Sequence, residues 1–370
     1  MAGLVFRNIT KQLECGARME NLNLEIDDGE FVALVGRSGC GKAELIRMAE
    51  GYGGQYEGDV YIHEQRVARF RRGFPGASLI NEAPLTGTPR REITKLLSRA
   101  RMPRREINRR IELAAQTLDA AHVLDTRFSQ LPPEGRLLAG MVRARAIDAK
   151  VVLFHDPFDG MGSRVAARMR LKIKDFHAQT RTIFLMSTHT GNIALSLATR
   201  VVALEEGKIR QSDTPQNIYD FPADRFVAEY FGSALINIIP ARLERLGGRV
   251  QAVFGENRIL VPDGKVQKLV SESYIGKTVL MGVRPENLHY EQAFISLSPE
   301  SAIEAQVRHV ELLGSETYLH TSLAGVEGDI IARVDPRCIA SPGDEMTLAI
   351  DSNRIHFFDE TTEESILHRI

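Results

Sequence analysis

The fold turns on Phe31-Val32-Ala33-Leu34-Val35-Gly36-Arg37-Ser38-Gly39-Cys40-Gly41-Lys42-Ala43. Five apolar residues bounded by Gly29 and Gly36 read as a buried strand that feeds a glycine turn, and residues 43–49 have helical composition. From Gly36 onward the order fits G-x-x-x-x-G-K-[ST] except at its last position, and it has the strand-before, helix-after context of a nucleotide site. Glycines let backbone N–H groups turn inward around phosphate oxygens. The helix N-terminus adds partial positive charge, and Lys42 supplies a full one. A strand-to-helix turn that binds nothing is the plainer alternative, against which Lys42 and both flanking elements weigh. The candidate nucleotide contacts are Gly36, Arg37, Ser38, Gly39, Cys40, Gly41, Lys42, Ala43 and Glu44. Ala43 is the anomaly. A Ser or Thr hydroxyl there would bind the Mg²⁺ that bridges the terminal phosphates, so this loop is expected to hold nucleotide and to hold metal poorly.

On either side of the loop, residues 4–9 and 22–26 read as strands. Residues 90–125, rich in Arg, Glu, Leu and Ala, read as a small helical insertion. Two more apolar runs, Val151-Val152-Leu153-Phe154 and Thr182-Ile183-Phe184-Leu185-Met186, follow helical stretches at 135–147 and around 163–177. Strands alternating with helices imply an α/β fold with helices packed on a parallel sheet. Past about residue 238 the texture changes to short apolar runs punctuated by turns, at 250–254, 279–283, 303–310, 330–334 and 346–350. That spacing suggests a small all-β barrel or sandwich, with the boundary near Ile239-Pro240.

A chain of 370 residues has room for two or three domains, each with its own core. The 47 Lys+Arg against 48 Asp+Glu leave a formal charge of −1, which disfavours nucleic acid as a partner. With 43% apolar and 26% charged residues the composition is that of a globular protein. Cys15, Cys40 and Cys338 are too few and too far apart for a disulfide framework or a zinc cluster, which fits a reducing, cytoplasmic setting. No apolar run approaches the roughly 18 residues of a membrane-spanning helix, so work at a membrane would require docking onto another chain.

Three further stretches make the chain similar to a known family. Thr214-Pro215-Gln216-Asn217-Ile218-Tyr219-Asp220 through Phe231-Gly232-Ser233, with Asn237 and Pro240 beyond, resembles the link between ATPase and accessory domain in the ATP-binding subunits of carbohydrate and polyol ABC importers. Gly282-Val283-Arg284-Pro285-Glu286 and Glu311-Leu312-Leu313-Gly314-Ser315-Glu316 resemble the C-terminal β domain of that class, which is related to the maltose importer's ATPase. The likeness covers nearly the whole chain. It implies a P-loop ATP-binding domain over residues 1–237, with a helical subdomain at about 82–145. An OB-like, TOBE-type β domain serving regulation or dimerisation would follow over 238–370.

The resemblance also implies that two such subunits meet head to tail, each ATP lying between one phosphate loop and the other chain's signature motif. The acidic strand end, an Asp that holds Mg²⁺ through water and then a catalytic Glu, falls here on His155-Asp156. His155 removes an oxygen ligand that Mg²⁺ prefers, although a histidine can also simply cap a strand end. Asp156 is one methylene short for a general base, a shortfall of about an ångström or more. The signature falls, in an ungapped run to Pro157, on Leu131, Pro132, Pro133, Glu134 and Gly135. The two prolines have no N–H to give, and one lost preorganised donor costs about 10²–10³ in rate. Glu134 at ~4 Å from a phosphate charge would add about 4 kcal/mol of repulsion at an effective dielectric of ~20. Pro-Pro-Glu is also a good helix start.

The metal-sensing glutamine appears as Asn81, and the adenine-stacking aromatic is missing near Leu13. The stretch Asp159-Gly160-Met161-Gly162 lacks its terminal Asp. His189 keeps the register of the γ-phosphate switch, the alternative being a satisfied surface histidine. Asp156 and His189 are thus the candidate catalytic residues. No metal position is intact, since Ala43, Asn81 and His155 occupy the usual ones. ATP is the implied ligand, with Mg²⁺ weak or absent at this chain's own site.

The expected function is a degenerate ATPase subunit of an importer for a sugar or polyol, glycerol among them. The implied partners are an intact paralogous ATPase subunit, two transmembrane permease subunits and, indirectly, a substrate-binding protein. The expected location is the cytoplasmic face of a bacterial inner membrane, held there peripherally. A groove for the permease would lie around residues 81–97, where Arg90, Arg91 and Glu92 are either docking contacts or an ordinary charged helix surface. Arg284 and Glu286 are either part of an oxyanion or sugar site in the β domain or an internal ion pair. Two further functions stay open, an active ATPase of the same class and a regulatory scaffold outside transport.

Overall fold

A computed structural model describes residues 2–67, 76–80, 87–232 and 234–367. The chain divides into two compact units, Met1–Pro215 and Gln216–Ile370.

In the first unit the strand Phe31–Val35 is buried at every residue, as its unbroken apolar run requires of a strand covered on both faces. It lies inside a six-stranded sheet. From one edge the order is Lys208–Asp213, Arg200–Glu205, Phe31–Val35, Ile183–Thr188, Val151–His155 and Ala77–Leu79. All neighbours are parallel except the first pair. The strands anticipated near residues 4–9 and 22–26 run longer, Ala2–Gln12 and Arg18–Asp27, and form a separate antiparallel sheet with Glu57–Ile62 and Gln65–Arg66. Residues of both sheets and of the helix Lys42–Glu50 share one core, including Phe6, Ile26, Leu34, Leu45 and Leu185.

The helical insertion comprises Pro89–Arg99, Arg104–Thr117 and Pro133–Ala146. Thr88 caps the first of these by accepting from the Arg91 N–H, and Pro89 occupies the first turn, where its missing N–H costs nothing. At Gly140 the helix Pro133–Ala146 comes close to the backbone of Ile80, just past the strand Ala77–Leu79. A Cβ there would lie 2.6 Å from the Ile80 carbonyl oxygen, so only glycine fits.

The second unit opens with two short helices, Pro215–Asp220 and Arg225–Tyr230. Two five-stranded antiparallel sheets follow. One runs Asn257–Leu260, Arg249–Phe254, Asn237–Leu246, Thr278–Val283, His356–Asp359. The other runs Leu288–His289, Glu345–Ile350, Ala302–Leu312, Thr317–Leu323, Ile330–Val334. They share a core that includes Leu243, Met281, Leu319, Leu348 and Phe357, the small all-β arrangement that the short apolar runs imply. Asn237 ties the sheets together. Its amide donates to Val283 O at 3.0 Å and Ile331 O at 2.9 Å, and its oxygen accepts from the Ile331 N–H at 2.7 Å. Ile239 and Pro240 lie within the Asn237–Leu246 strand.

Candidate functional site

The phosphate loop sits where the sequence places it, between Phe31–Val35 and the helix Lys42–Glu50. Arg37, Ser38 and Gly39 are exposed, while Gly36, Cys40, Gly41 and Lys42 are buried. A Cβ on Gly36 would fall 2.0 Å from Leu204 O, so the neighbouring strand admits only glycine there. Gly41 takes φ +111°, the left-handed region, and its missing Cβ leaves room for Met19 Cε. The Lys42 ammonium, 6% exposed, donates to Gly36 O at 2.6 Å and Arg37 O at 2.9 Å, which sets a full positive charge against the loop's own backbone. Cys40 Sγ lies 3.6 Å from Lys42 Nζ. Burial pushes the Cys40 thiol up, and the adjacent ammonium only partly opposes it. The first-turn N–H groups of this helix have no intrahelical acceptors, so loop, helix end and ammonium together suit a polyphosphate. Ala43 and Glu44 stand half-buried on that turn, and Ala43 presents a methyl group rather than an oxygen.

Parallel pairing brings the second group of candidates together. His155 pairs in register with Ser187, and its Nδ1 lies 2.8 Å from the buried Ser187 Oγ. Asp156 leaves the strand in a left-handed conformation, φ +41°, which Asp tolerates better than most residues. Its N–H donates to Ser187 O at 2.9 Å. Its Oδ1 accepts the His189 backbone N–H at 3.2 Å and lies 3.1 Å from His189 Nδ1. The two candidate catalytic residues therefore meet across 33 positions of sequence. Asp159 joins them, with ligand atoms of Asp156, Asp159 and His189 all within 4.8 Å of one another.

The donor set decides how far magnesium fits. Mg²⁺ takes oxygen ligands in near-octahedral geometry. At the metal positions that the resemblance implies, this chain offers the Ala43 methyl and the His155 imidazole engaged with Ser187, while Asn81 lies outside the described residues. The usual oxygen set is not matched. The nearby carboxylates belong to an Asp-Asp-His group, a combination better suited to a softer divalent ion.

On the signature stretch, Leu131 is buried and Pro132 and Pro133 are exposed. Pro132 precedes the helix Pro133–Ala146 with an extended backbone, and its carbonyl accepts the first helical bond, from Arg136 N at 3.0 Å. The helix-start role of Pro-Pro-Glu is thus realised, with Glu134 half-buried on the first turn. A Cβ on Gly135 would meet Leu131 and Pro132 at 3.2 Å. Gly160, from the loop after Asp156, lies against Pro133. Leu13, at the place of the missing aromatic, is 3% exposed and packs into the core instead of presenting a face.

Two of the candidate docking residues make internal ion pairs. Arg90 bonds Asp125 and Glu112, which hold its guanidinium above the usual arginine range, and Glu92 accepts from Arg143 at 2.8 Å. Arg91 is exposed, and residues 81–86 of the groove lie outside the described residues. Sequence reasoning missed Ser187 as the partner of His155. It also missed Arg143, which reaches Leu79 O and Ser78 Oγ. The signal for Ser187 was its place in the third core strand, where parallel register sets it beside the end of Val151–His155.

Comparison with known proteins gives a consistent set of likenesses. The ABC transporter family matches residues 19–158, the MalK OB fold domain residues 232–288 and the TOBE domain residues 297–357. The chain is 35% identical over 348 residues to the oligosaccharides import ATP-binding protein MsmX of Bacillus subtilis, covering 93% of this chain and 94% of that one. It is 31% identical over 368 residues to the sn-glycerol-3-phosphate import ATP-binding protein UgpC of Cupriavidus metallidurans, covering 97% of each. Among solved structures, cbiO1 from Clostridium perfringens superposes with a TM-score of 0.52 at 16% identity, over 59% of this chain and 90% of that one, a likeness of fold.

Proposed function

This chain belongs to the ATP-binding proteins of ABC importers, and from that premise we propose that it is a subunit in which the ATP-binding role outlives hydrolysis. The coarse architecture is that of the family, a P-loop ABC ATPase fold followed by an OB-like, TOBE-type domain. In our reading residues 1–237 form the ATP-binding domain, with a helical subdomain at about 82–145, and 238–370 the β domain.

The carrying observation is the contrast between the preserved loop and the lost donors around it. Gly36, Gly41 and Lys42 keep a polyphosphate cradle with a buried ammonium against it. Ala43 and His155 supply no oxygen at the metal positions, and Pro132 and Pro133 have no N–H for a partner's γ-phosphate. A homodimer would pair two weakened loops with two weakened signatures. The economical assembly is a heterodimer with an intact paralogue. There the partner's loop, metal ligands and catalytic Glu act opposite Pro132-Pro133-Glu134, and residual turnover belongs to that second site. Asp156 and His189 then serve as a fixed pair at this chain's own site. ATP binds there, and Mg²⁺ binds weakly or not at all.

The relatives' names point to oligosaccharide and glycerol-phosphate import, so the cargo class is a sugar or polyol, its identity resting with the other subunits. Docked on two permease subunits that a substrate-binding protein serves, the chain is peripheral at the cytoplasmic face. No helix among the described residues is long and apolar enough to cross a membrane.

One observation favours a second reading, an active ATPase: Asp156, Asp159 and His189 converge closely enough to hold a divalent ion. Copurification separates the two. The chain is expected to come down with its membrane complex and one intact paralogue, with Mg²⁺-nucleotide well held only at the paralogue's loop. Recovery of a homodimer on the permease, with hydrolysis indifferent to Ala43→Ser and His155→Asp, refutes the degenerate reading and supports the active one.

A further inference from the structure

The second unit contains a cavity of about 380 Å³ that no step of the nucleotide chemistry uses. We infer that this cavity, between the first turn of the helix Asp263–Ser271, the segment 219–221 and the turn Ser352–Arg354, binds a small phosphate monoester such as a phosphorylated sugar or polyol. The size lies within the range of about 300–1,000 Å³ seen for ligand sites and exceeds what a bare ion fills.

The charge is unbalanced toward cations. Lys265, Lys268, Arg284 and Arg354 line the cavity against Asp220 and Glu286, four positive charges to two negative. Both carboxylates are already engaged, Glu286 by the Tyr219 hydroxyl and Asp220 by the Gln216 amide. Among the described residues the Arg354 side chain has a long contact, 3.6 Å, to Asp351. The half-buried Lys265 ammonium makes no hydrogen bond or ion pair among the described residues, and its nearest counter-charge is that same Asp351. A cation partly withdrawn from water with no direct ion pair is costly, and an anion in the cavity lowers that cost.

Arg284 carries the strongest sign. It is 2% exposed and stacks 3.7 Å from the Tyr219 ring centroid. Its terminal nitrogens donate to Phe231 O at 2.6 Å and Tyr219 O at 2.9 Å, yet its Nε finds no acceptor among the described residues. Glu286 and Asp220 act on this guanidinium from a distance, but among the described residues its hydrogen bonds go to carbonyls and it makes no direct carboxylate pair, which leaves positive potential at the cavity wall. Burial draws both Arg284 and Lys265 below their usual ranges, and the carboxylates of Glu286 and Asp220 near the first and of Asp351 near the second offset it only in part.

The helix adds to this. Pro262 gives the Asp263–Ser271 helix no side-chain cap, and a Cβ on Gly264, which lines the cavity, would meet nothing within 4 Å. The Lys265 and Val266 N–H groups donate to Pro262 O, and the positive end of the helix borders the cavity at Gly264. Asn287 and Asn353 supply the amide groups that would recognise hydroxyls on the rest of the ligand, and Ile355 gives it an apolar wall. The dianion and the hydroxyls together select a phosphorylated polyol over either half alone.

Calorimetric titration of the full chain tests this, using glycerol 3-phosphate and glucose 6-phosphate against inorganic phosphate and glycerol. The Lys265→Gln/Lys268→Gln double variant is expected to bind the esters at least ten-fold more weakly with an unchanged melting temperature. Lys42→Ala is expected to leave that binding intact, which separates the cavity from the phosphate loop. Three results overturn the proposal: no heat with either ester at tens of millimolar, binding lost in Lys42→Ala and kept in the double variant, or equal affinity for inorganic phosphate or glycerol.

Discussion

Asp156→Asn probes the central reading most directly. In a working hydrolytic site, removing the general base costs about 10²–10⁴ in rate, or about 3–6 kcal/mol at roughly 1.4 kcal/mol per factor of ten. The geometry here predicts far less. One carboxylate oxygen already serves the His189 backbone N–H at 3.2 Å and lies 3.1 Å from the His189 ring. The side chain is also one methylene shorter than glutamate, so the free oxygen stops about an ångström or more from where a water would be polarised. Turnover by the purified chain is therefore expected near background, and Asp156→Asn should change it by less than about two-fold. The substitution is also mild for the fold. Asn tolerates φ +41° as Asp does, its oxygen still accepts from His189, and the loss is about 0.5–1.5 kcal/mol. Phosphate release with Mg-ATP measures the rate, displacement of a fluorescent ATP analogue shows that the loop still binds, and a thermal melt verifies folding. Turnover of about 1 s⁻¹ or more in the purified chain, collapsing a hundred-fold in Asp156→Asn, would show instead that Asp156 is a working general base. Asp156→Glu is not a simple repair, because a longer side chain in the left-handed region costs roughly 1–2 kcal/mol.

Two further outcomes follow from the second unit. Asn237→Ala leaves the Ile331 N–H and two carbonyls without partners in a buried position, and should destabilise this unit by about 3–5 kcal/mol, read as a lower urea midpoint at unchanged slope. His356 is pushed down to about 3, by burial first and then by the neighbouring charges of Arg284 and Lys265. The unfolded chain takes up that proton near pH 6.5 and the folded chain only near pH 3, so the folded state binds fewer protons in between. Stability is full above about pH 6.5 and falls on acidification at up to about 1.4 kcal/mol per pH unit, a slope that His356→Gln should remove from denaturation curves between pH 6 and 4.

The core strands were legible because each is a short unbroken apolar run between glycines or helical stretches, as at Phe31–Val35 and Val151–His155. The separate antiparallel sheet of Ala2–Gln12 and Arg18–Asp27 was not, since alternation along a strand says which face is buried but not which strand lies beside it. The strands Thr317–Leu323 and His356–Asp359 escaped notice for a related reason. Buried Thr317 and Thr321 and the half-buried His356 break the apolar pattern that marks a strand.

What the sequence settles by itself is the chemical inventory. A phosphate loop with Lys42 and without a hydroxyl at Ala43, and two prolines that have no N–H at 132–133, keep those properties in any fold. What tertiary structure decides is which groups meet. His155 reaches Ser187 and Asp156 reaches His189 because two parallel strands run in register. Lys265, Arg284 and Arg354 share one cavity because antiparallel strands and a helix bring together residues distant along the chain. Composition and periodicity report on contacts within a few residues along the chain. Long-range pairing is selected by the burial of whole faces, and only the folded chain expresses it.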